Sequence, residues 1–356
     1  MDKSFFMFAG IGGNSLLIAA IAAVLLLLVL ILELGLRATV GFGNPSIYIP
    51  DEQIGYLLAP NQQTQRFGNR IDINSYSMRS APIDPTPSAS TSRVLMLGDS
   101  IVNGGWWTDQ TDTLSALLSR QLQARLNRAK SEPVAGADDS KGADNDKSAN
   151  DEAAIRPSLQ QVEVLNASAN SWGPRNELAY LEKFGHFDAQ TIVLVINTDD
   201  LFAAAPSMAK VGRGNYPDRK PPFALAEVFN RYLLPVLPWS KTANLPAPEK
   251  EPGDPVDRNL AAIQRMAQIA HQADAQFLLA MTPLLRELGD PGPRDYERQA
   301  RQKLTQFAQA KAITYIDFLP LFNRAESFKD LYRDHIHLSP QGNQQVSQTI
   351  CSAISR

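Results

Sequence analysis

The sequence of 356 residues has little cysteine, little histidine and no surplus of positive charge. Its single cysteine, Cys351, excludes an intrachain disulfide and a cysteine-rich metal site. Lysine and arginine number 34 against 37 aspartates and glutamates, which gives a net charge of -3. Nucleic-acid binding depends largely on positive charge, so we expect no nucleic-acid partner. The sequence also lacks a phosphate-binding loop, an HExxH motif and a convincing pair of glycosidase carboxylates, and we expect neither a bound metal nor a cofactor.

The N-terminal region lacks charged side chains from Ser4 to Leu32, and residues 15–32 (SLLIAAIAAVLLLLVLIL) are almost wholly apolar. As a helix this run would extend about 27 Å, close to the thickness of the hydrocarbon layer of a membrane. A cleaved signal peptide is the main alternative, but the run is longer than a usual signal-peptide core, and no convincing small-residue cleavage site follows it. We therefore predict an uncleaved, single-pass anchor over residues 1–37. Lys3 and Arg37 lie on opposite sides of the run, so charge leaves its orientation open.

Three further segments are predicted to lie outside a regular core. Residues 38–92 contain several prolines and resemble an irregular approach segment. Residues 130–154 contain no aromatic residue and too few apolar ones to offset the entropy of ordering, which predicts a disordered insertion. Residues 206–255 are rich in proline and aromatic residues and are too long for a simple connection, so we predict an insertion that forms a lid or a flap facing the substrate.

The remaining chain, residues 93–356, alternates between strand-like and helix-like patterns. The run TIVLVI at 191–196 is typical of a strand buried on both faces. Strands separated by helices predict right-handed βαβ units and hence an α/β fold, with a parallel sheet covered by helices on both faces. The predicted strands are 93–97, 161–165, 191–196, 276–281 and 313–317, and the predicted helices are 113–127, 256–273, 295–310 and 340–354.

Two short motifs carry the residues of a chemical site. Ser100 directly follows the strand 93–97, and pockets in open α/β sheets form beyond the carboxyl ends of the strands. Gly98 permits a sharp turn there, so that the Ser100 N–H can point into the site as an oxyanion donor. Near the C-terminus, Asp334 and His337 are three residues apart, and a single turn can place the carboxylate beside the imidazole. A nucleophile, a base and an orienting carboxylate are the parts of a Ser-His-Asp hydrolase, and the alternative is a turn serine with a surface histidine.

With these motifs the chain resembles the SGNH (GDSL-type) hydrolases. The matching pieces are Gly98-Asp99-Ser100-Ile101 and Asp334-x-x-His337-Leu-Ser-Pro-x-Gly342, and residues 74–79 (NSYSMR) resemble a stretch that often precedes the serine strand in membrane-anchored members. The resemblance implies a flavodoxin-like three-layer α/β/α sandwich in which Ser100, His337 and Asp334 form the triad. It also implies an acyl ester substrate at the cell envelope, such as an O-acetylated glycan or a lipid, and a catalytic domain on the extracytoplasmic side.

Two positions depart from the family pattern where the resemblance places the oxyanion hole. Ser171 stands at a position where glycine is expected, and Asp199 at one where asparagine is expected. The implied donors are the N–H groups of Ser100 and Ser171, with the side chain of Asn197 or Asp199. An ionised Asp199 would repel the developing oxyanion, and the loss of one donor costs about 3–4 kcal/mol. A protonated Asp199, an amide from Asn197 or Asn170, or weak catalysis are the alternatives.

Aromatic residues follow the first two site loops. Trp106, Trp172 and the neighbouring Gly173 are predicted to contact the substrate, because aromatic rings stack on sugars and cover acyl chains. The alternative is simple packing beneath the loops. We predict ester hydrolysis through an acyl-serine intermediate, with a catalytically impaired glycan-binding protein and an O-acyltransferase as alternative hypotheses.

Overall fold

The computed structural model describes residues 9–131, 159–237 and 251–354. The predicted disordered insertion at 130–154 therefore lies almost wholly outside the described residues, as does the middle of the predicted insertion at 206–255. Nine strands are found in the described part of the chain: β1 Tyr48–Asp51, β2 Gly55–Leu58, β3 Gln62–Arg66, β4 Asn69–Ile73, β5 Thr91–Gly98, β6 Gln161–Ser168, β7 Thr191–Asn197, β8 Gln276–Thr282 and β9 Thr314–Asp317. The α-helices there are α1 Ala9–Gly35, α2 Ser100–Asn103, α3 Leu114–Ser131, α4 Pro174–Phe184, α5 Ala224–Val228, α6 Pro255–Gln272, α7 Asp295–Ala310, α8 Phe318–Phe322 and α9 Pro340–Ala353.

Strands β5 to β9 form one parallel sheet in the order β6-β5-β7-β8-β9. Counted from the first core strand, this order is 2-1-3-4-5, the flavodoxin-like arrangement. The chain therefore reverses its direction of winding next to β5, and a crevice opens at the carboxyl ends of β5 and β7. All five strands and all four helices that the sequence predicts in this region are present, and α2, α4, α5 and α8 are additions.

Alternate residues of each central strand pack into two separate cores. On β5, Leu95 and Leu97 face one core, while Val94 and Met96 face the other. The first core packs against α4, α6 and α7, and the second packs against α3, α8 and α9. Both faces of the sheet are thus covered, which explains the continuous apolar runs in the strands and confirms the predicted three-layer sandwich.

Residues 38–92 were predicted to be irregular, and the structure shows two antiparallel hairpins there instead, β1–β2 and β3–β4. The sequence of β3 is polar throughout, and its buried positions are filled by Thr64 and Arg66. Polar residues at buried positions conceal the alternation by which strands are recognised. The turn between β3 and β4 uses Phe67 and Gly68, both with positive φ, which matches the twist of a tight hairpin.

Helix α1 is apolar and exposes its large side chains from Leu16 to Leu34. The segment Ser15–Val40 has a mean hydropathy of 3.3 and is long and apolar enough to cross a membrane. Near the end of α1, the buried Glu33 accepts hydrogen bonds from the N–H groups of Ala224 at 2.8 Å and Leu225 at 3.0 Å. These two residues begin α5, so the end of α1 is bonded to the folded part of the 206–255 insertion.

Residues 206–237 of this insertion form short helical turns that pack against the first hairpin. The Tyr48 N–H donates to the Pro217 carbonyl at 2.8 Å. The ring of Tyr216 lies 5.1 Å from that of Tyr48 and 5.3 Å from that of Tyr56. Hairpin and insertion together form one wall of the crevice at the carboxyl ends of the strands.

Candidate active site

Ser100 lies where β5 ends and the short helix α2 begins. Gly98 is required for this turn, because a Cβ there would lie 2.7 Å from the Val195 carbonyl oxygen. The Asp99 side chain caps α2, and its Oδ1 accepts the Ile101 N–H at 2.8 Å. Since β5 stands at the switch point of the strand order, Ser100 faces the crevice where ligands bind in sheets of this type.

Ser100, His337 and Asp334 form a continuous hydrogen-bonded chain. The Ser100 Oγ is 2.9 Å from His337 Nε2, and His337 Nδ1 is 2.8 Å from Asp334 Oδ2. This geometry lets the imidazole take a proton from the hydroxyl while the carboxylate holds the ring in the required tautomer. The neighbouring His335 has a side chain that is 84% exposed, and its Nδ1 lies 3.9 Å from Asp334 Oδ1. Of the two histidines, it is therefore His337 that the structure places between Ser100 and Asp334.

The turn that carries Asp334 and His337 is stabilised by its own backbone. Asp334 Oδ1 accepts the N–H groups of Ile336 at 3.0 Å and His337 at 2.8 Å. Partial burial opposes ionisation of Asp334, but these bonds and the His337 ring outweigh it and lower the pKa of the carboxyl below its usual value. Gly342 of the same motif has a packing role, because a Cβ there would lie 2.1 Å from the Leu331 carbonyl oxygen.

Trp107 packs on His337 and is itself packed against Trp106 and Arg333. The ring centroid of Trp107 lies 4.3 Å from that of the His337 imidazole, and the ring centroids of Trp106 and Trp107 are 5.7 Å apart. The Arg333 guanidinium lies 5.4 Å and 5.6 Å from these two rings. Trp106 lines the crevice, so it stays a predicted substrate contact, and Trp107 packs on the imidazole of His337 and restricts its movement.

Arg79 holds the loop on which these tryptophans lie. Its guanidinium is buried and donates to the carbonyl oxygens of Asn103 at 2.7 Å, Gly105 at 2.6 Å and Thr108 at 2.5 Å. The 74–79 stretch therefore contributes a positioning residue, because a buried arginine with several carbonyl partners fixes a loop that has no regular hydrogen bonding of its own.

Two backbone N–H groups are available near the nucleophile. Ser171 has φ of +57°, a conformation that favours glycine, which agrees with its place where the family pattern has glycine. Its Oγ accepts a hydrogen bond from the Tyr216 hydroxyl at 2.7 Å. The N–H groups of Ser100 and Ser171 have no acceptor among the described residues, and both residues line the crevice. They are free to bind an oxyanion.

The Asn197 side chain is already engaged and does not supply the third donor considered above. Its Nδ2 donates to Asp99 Oδ2 at 2.9 Å and to Asp200 Oδ2 at 2.8 Å, which uses both of its hydrogens. Its Oδ1 accepts the Asp199 N–H at 2.8 Å. The Asp199 side chain is exposed and lines the crevice, so a carboxyl group stands where the family pattern has an amide. Asn170 also lines the crevice and remains the alternative amide.

Trp172 and Gly173 pack beneath the site loop and offer little open surface to a substrate. Trp172 is 1% exposed, and its indole N–H donates to the Tyr56 carbonyl at 3.0 Å. The Gly173 N–H donates to Asn176 Oδ1 at 3.1 Å, and a Cβ on Gly173 would lie 2.4 Å from the Ala203 Cβ. Both positions are thus explained by packing, the alternative that the sequence left open.

Three carboxyl groups, Asp99, Glu177 and Asp200, are buried close to Ser100. Burial raises the pKa of Asp99 to about 6 and raises the pKa values of Asp200 and Glu177 well above their usual range. The Asn197 amide bridges Asp99 and Asp200. Neither carboxyl oxygen of Glu177 has a hydrogen-bond partner among the described residues. Burial therefore disfavours the ionised form of all three carboxyl groups behind the nucleophile.

Replacement of Glu177 by glutamine is expected to reduce the loss of stability at high pH. A raised carboxyl pKa favours folding at low pH, and this contribution is lost as the pH rises toward the folded-state pKa. Each such group changes the free energy of unfolding by roughly 1.4 kcal/mol per pH unit between its unfolded and folded pKa values. Thermal unfolding of the full chain in detergent at pH 5 and pH 8 measures this difference. Glu182→Gln, on the exposed side of α4, is the matched control, and an equal pH dependence in both variants would contradict the prediction.

The crevice has a volume of about 670 Å³, and its lining includes Ser100 and His337 together with Trp106 and Trp107. Its lining also includes Lys210 and Tyr216 of the insertion, which was predicted to form a lid or a flap facing the substrate, and Tyr56 of the first hairpin, whose segment was predicted to be irregular. No local motif marks them, because they reach the site only through packing of segments distant in the chain. Among the described residues, no group of three or more His, Cys, Asp and Glu side chains is arranged to hold a metal ion.

Several solved structures are similar to this chain at low identity. Axe2, an acetylxylan esterase from Geobacillus stearothermophilus, has 14% identity and a TM-score of 0.42, over 77% of this chain and 97% of its own. The lipase/acylhydrolase from Enterococcus faecalis has 14% identity and a TM-score of 0.41, over 74% of this chain and 95% of its own. No curated protein matches the sequence at a significant level.

The profile of the GDSL-like Lipase/Acylhydrolase family matches residues 96–345. This range includes Ser100 at one end and the Asp334–His337 turn at the other, together with the strands and helices that bring them together. Members of this family hydrolyse ester bonds, and the parallel sheet and the Ser-His-Asp geometry agree with that activity. The chain belongs to the GDSL-like lipase/acylhydrolase family and is an ester-bond hydrolase.

Proposed function

We propose that this protein is a membrane-anchored serine esterase that removes an acyl group from a glycan or lipid of the cell envelope. The observation that carries the proposal is the hydrogen-bonded chain from Ser100 through His337 to Asp334, whose first two members line a crevice of about 670 Å³. A crevice of this size accommodates a sugar unit or a short acyl chain together with the ester.

In the first half of the reaction, Ser100 Oγ attacks the ester carbonyl carbon and its proton passes to His337 Nε2. Asp334 stabilises the resulting imidazolium. The bond between the carbonyl carbon and the alcohol oxygen then breaks, and the alcohol leaves with the proton from His337. In the second half, His337 takes a proton from water as the water oxygen attacks the acyl-serine. The carboxylic acid leaves, and the proton returns to Ser100 Oγ.

The tetrahedral intermediates place a negative charge on the former carbonyl oxygen. We assign the N–H groups of Ser100 and Ser171 as its donors, since both are unpaired among the described residues and both line the crevice. Asp199 lies at the position where the family pattern has an asparagine, and its carboxylate has no N–H to donate to the oxyanion. Its carboxyl group weakens the stabilisation that the two backbone donors provide.

Replacement of Asp199 by asparagine is expected to increase kcat for a soluble ester by about ten-fold or more, because an added donor in an oxyanion hole is worth several kcal/mol. Asp199→Ala is the matched control, since it removes the charge without adding a donor. We expect kcat to be highest in Asp199→Asn, intermediate in Asp199→Ala and lowest in the wild type. A fall in activity in both variants would show that Asp199 assists the reaction as it stands.

A fluorophosphonate probe tests the nucleophile directly. We expect the folded full chain to react with one equivalent of probe, and peptide mass spectrometry to place the adduct on Ser100. An unlabelled protein with a normal unfolding transition would instead favour the catalytically impaired glycan binder, which the carboxyl group of Asp199 would explain. Product analysis with a glycan acceptor present separates hydrolysis from acyl transfer.

The contacts of α1 support retention of this helix in the mature protein. Glu33 is buried and satisfies the first two N–H groups of α5, and removal of α1 would leave both groups without this partner. Arg37 adds a hydrogen bond to Glu33 at 2.6 Å and another to the Pro222 carbonyl at 2.9 Å. An anchor bonded in this way would hold the crevice near the membrane and favour acylated substrates of the envelope.

A further inference from the structure

The insertion exposes a row of large apolar side chains next to the end of α1. Between residues 223 and 236, Phe223 is 61% exposed, Phe229 45%, Leu233 50% and Val236 73%. Tyr232 in the same stretch is also exposed. Contiguous apolar surface of this kind on a folded domain marks a contact with a partner or with a membrane. We call residues 223–236 the insertion patch.

The insertion patch is fixed against the end of the candidate membrane span. Phe223 lies between Pro222 and Ala224. The Ala224 N–H donates to Glu33 of α1 at 2.8 Å, and the Pro222 carbonyl accepts from Arg37, two residues after the end of α1, at 2.9 Å. A salt bridge between Arg66 and Glu227 ties the same short helix to the second hairpin. The patch therefore has a defined position beside the C-terminal end of α1.

The charge of the insertion suits one kind of partner. Residues 206–237 contain five lysines and arginines against two acidic residues, in a chain whose net charge is negative. Arg213, Arg219 and Lys220 are exposed. Exposed apolar side chains combined with basic residues are typical of segments that lie in the interface of a bilayer with anionic headgroups.

A series of ring contacts leads from the patch to the active site. The ring centroid of Tyr232 lies 6.1 Å from that of Phe42, and the ring centroid of Phe42 lies 6.0 Å from that of Phe67. The ring centroids of Phe67 and Trp106 are 5.1 Å apart. Trp106 in turn packs against Trp107, which packs on His337. The crevice and the patch therefore belong to one packed unit, and the position of the patch determines where the crevice lies relative to the membrane.

We propose that the insertion patch lies in the headgroup interface of the anionic bilayer that α1 crosses, as a second membrane contact. This inference rests on the proposed membrane anchor and adds a site of contact to it. The bilayer is favoured over a second copy of the chain because the patch continues the apolar surface of α1 and is flanked by basic residues. With two points of contact, the domain cannot rotate freely about α1, and the crevice is held at the membrane surface.

The test uses the full chain in nanodiscs of anionic lipid, with Cys351→Ser as background and a bimane fluorophore on a single new cysteine. Val236→Cys probes the patch, and Leu159→Cys is the matched control, since Leu159 is an exposed apolar residue just before the amino end of the edge strand β6, whereas the crevice lies at the carboxyl ends of the strands. Ala23→Cys probes α1. Lipids with a nitroxide just below the headgroup should quench the fluorophore at position 236 several-fold more than that at position 159. Hydrolysis of a soluble ester confirms that each variant is folded.

The outcomes separate this inference from the anchor itself. Quenching at position 23 by a deep nitroxide without quenching at position 236 would leave the anchor intact and overturn the second contact. If position 23 were not quenched by the deep nitroxide, α1 would not cross the bilayer, and both the proposed anchor and this inference would be wrong. A fluorophore at position 236 that is shielded from both nitroxide lipids and aqueous iodide would indicate burial against another copy of the chain, and would also overturn the inference.

Discussion

Replacement of Ser100 by alanine is expected to lower kcat for a soluble ester by roughly 10⁴-fold or more, because the loss of a serine nucleophile removes the acyl-enzyme route altogether. KM for the same ester should change little, since the Oγ contributes to bond formation and little to binding. Steady-state kinetics with a chromogenic acetate ester measure both constants. Labelling by the fluorophosphonate probe should disappear in the same variant.

Ser207→Ala is the matched control for this experiment. Ser207 also lines the crevice, but among the described residues its Oγ accepts only the Ala209 N–H, at 3.2 Å, and takes no part in the hydrogen bonds that join Ser100, His337 and Asp334. The kcat of the Ser207→Ala variant should remain near that of wild type. If Ser100→Ala retained most of the wild-type kcat while folded, the nucleophile would have to be another group, and the proposed mechanism would be wrong.

Replacement of His337 by glutamine is expected to lower kcat by at least about 10³-fold, because glutamine can occupy the space of the ring but cannot carry the proton. Asp334→Asn should lower kcat by about 10⁴-fold, since an amide at this position favours the wrong tautomer of the imidazole. The double variant should lose little more than the worse single variant, because residues that act as one unit have non-additive effects. Kinetics of the three variants with one soluble ester measure these differences.

His335→Gln serves as the control, since the two histidines are two residues apart and His335 is largely exposed. Its kcat should stay within a few-fold of wild type. Equal losses in His335→Gln and His337→Gln would contradict the assignment of the base. Additive losses in the double variant would show that Asp334 and His337 act separately, in conflict with the 2.8 Å contact between them.

The sequence predicts the core of this protein well because its information is local. A strand buried on both faces needs a run of β-branched and other apolar residues, and TIVLVI at 191–196 is such a run. The triad is likewise marked by short motifs: a Gly-Asp-Ser at the end of a strand, and a carboxylate three residues before an imidazole. Their order in the chain and the fold together require them to meet at the carboxyl edge of the sheet.

The walls of the site were not predictable in the same way. The hairpin β3–β4 fills buried positions with Thr64 and Arg66, so that the residues around it resemble a loop. Lys210 and Tyr216 reach the crevice from an insertion that carries no motif. Trp172 satisfies the sequence criterion for a substrate contact, yet it is buried and bonded to the Tyr56 carbonyl. Aromatic residues serve packing and binding equally well, and only their neighbours distinguish the two roles.

By itself, the sequence determined the parallel α/β core and the long apolar helix at the N-terminus, and it predicted the three residues that the structure joins by hydrogen bonds, Ser100, His337 and Asp334. Each of these depends on residues that are close together in the chain. Only the tertiary structure decided that the Asn197 amide is consumed by Asp99 and Asp200, that Ser171 has a left-handed backbone with a free N–H, and that Glu33 joins α1 to the insertion. Hydrogen-bond capacity is limited, and which partner occupies a given donor depends on how distant segments pack.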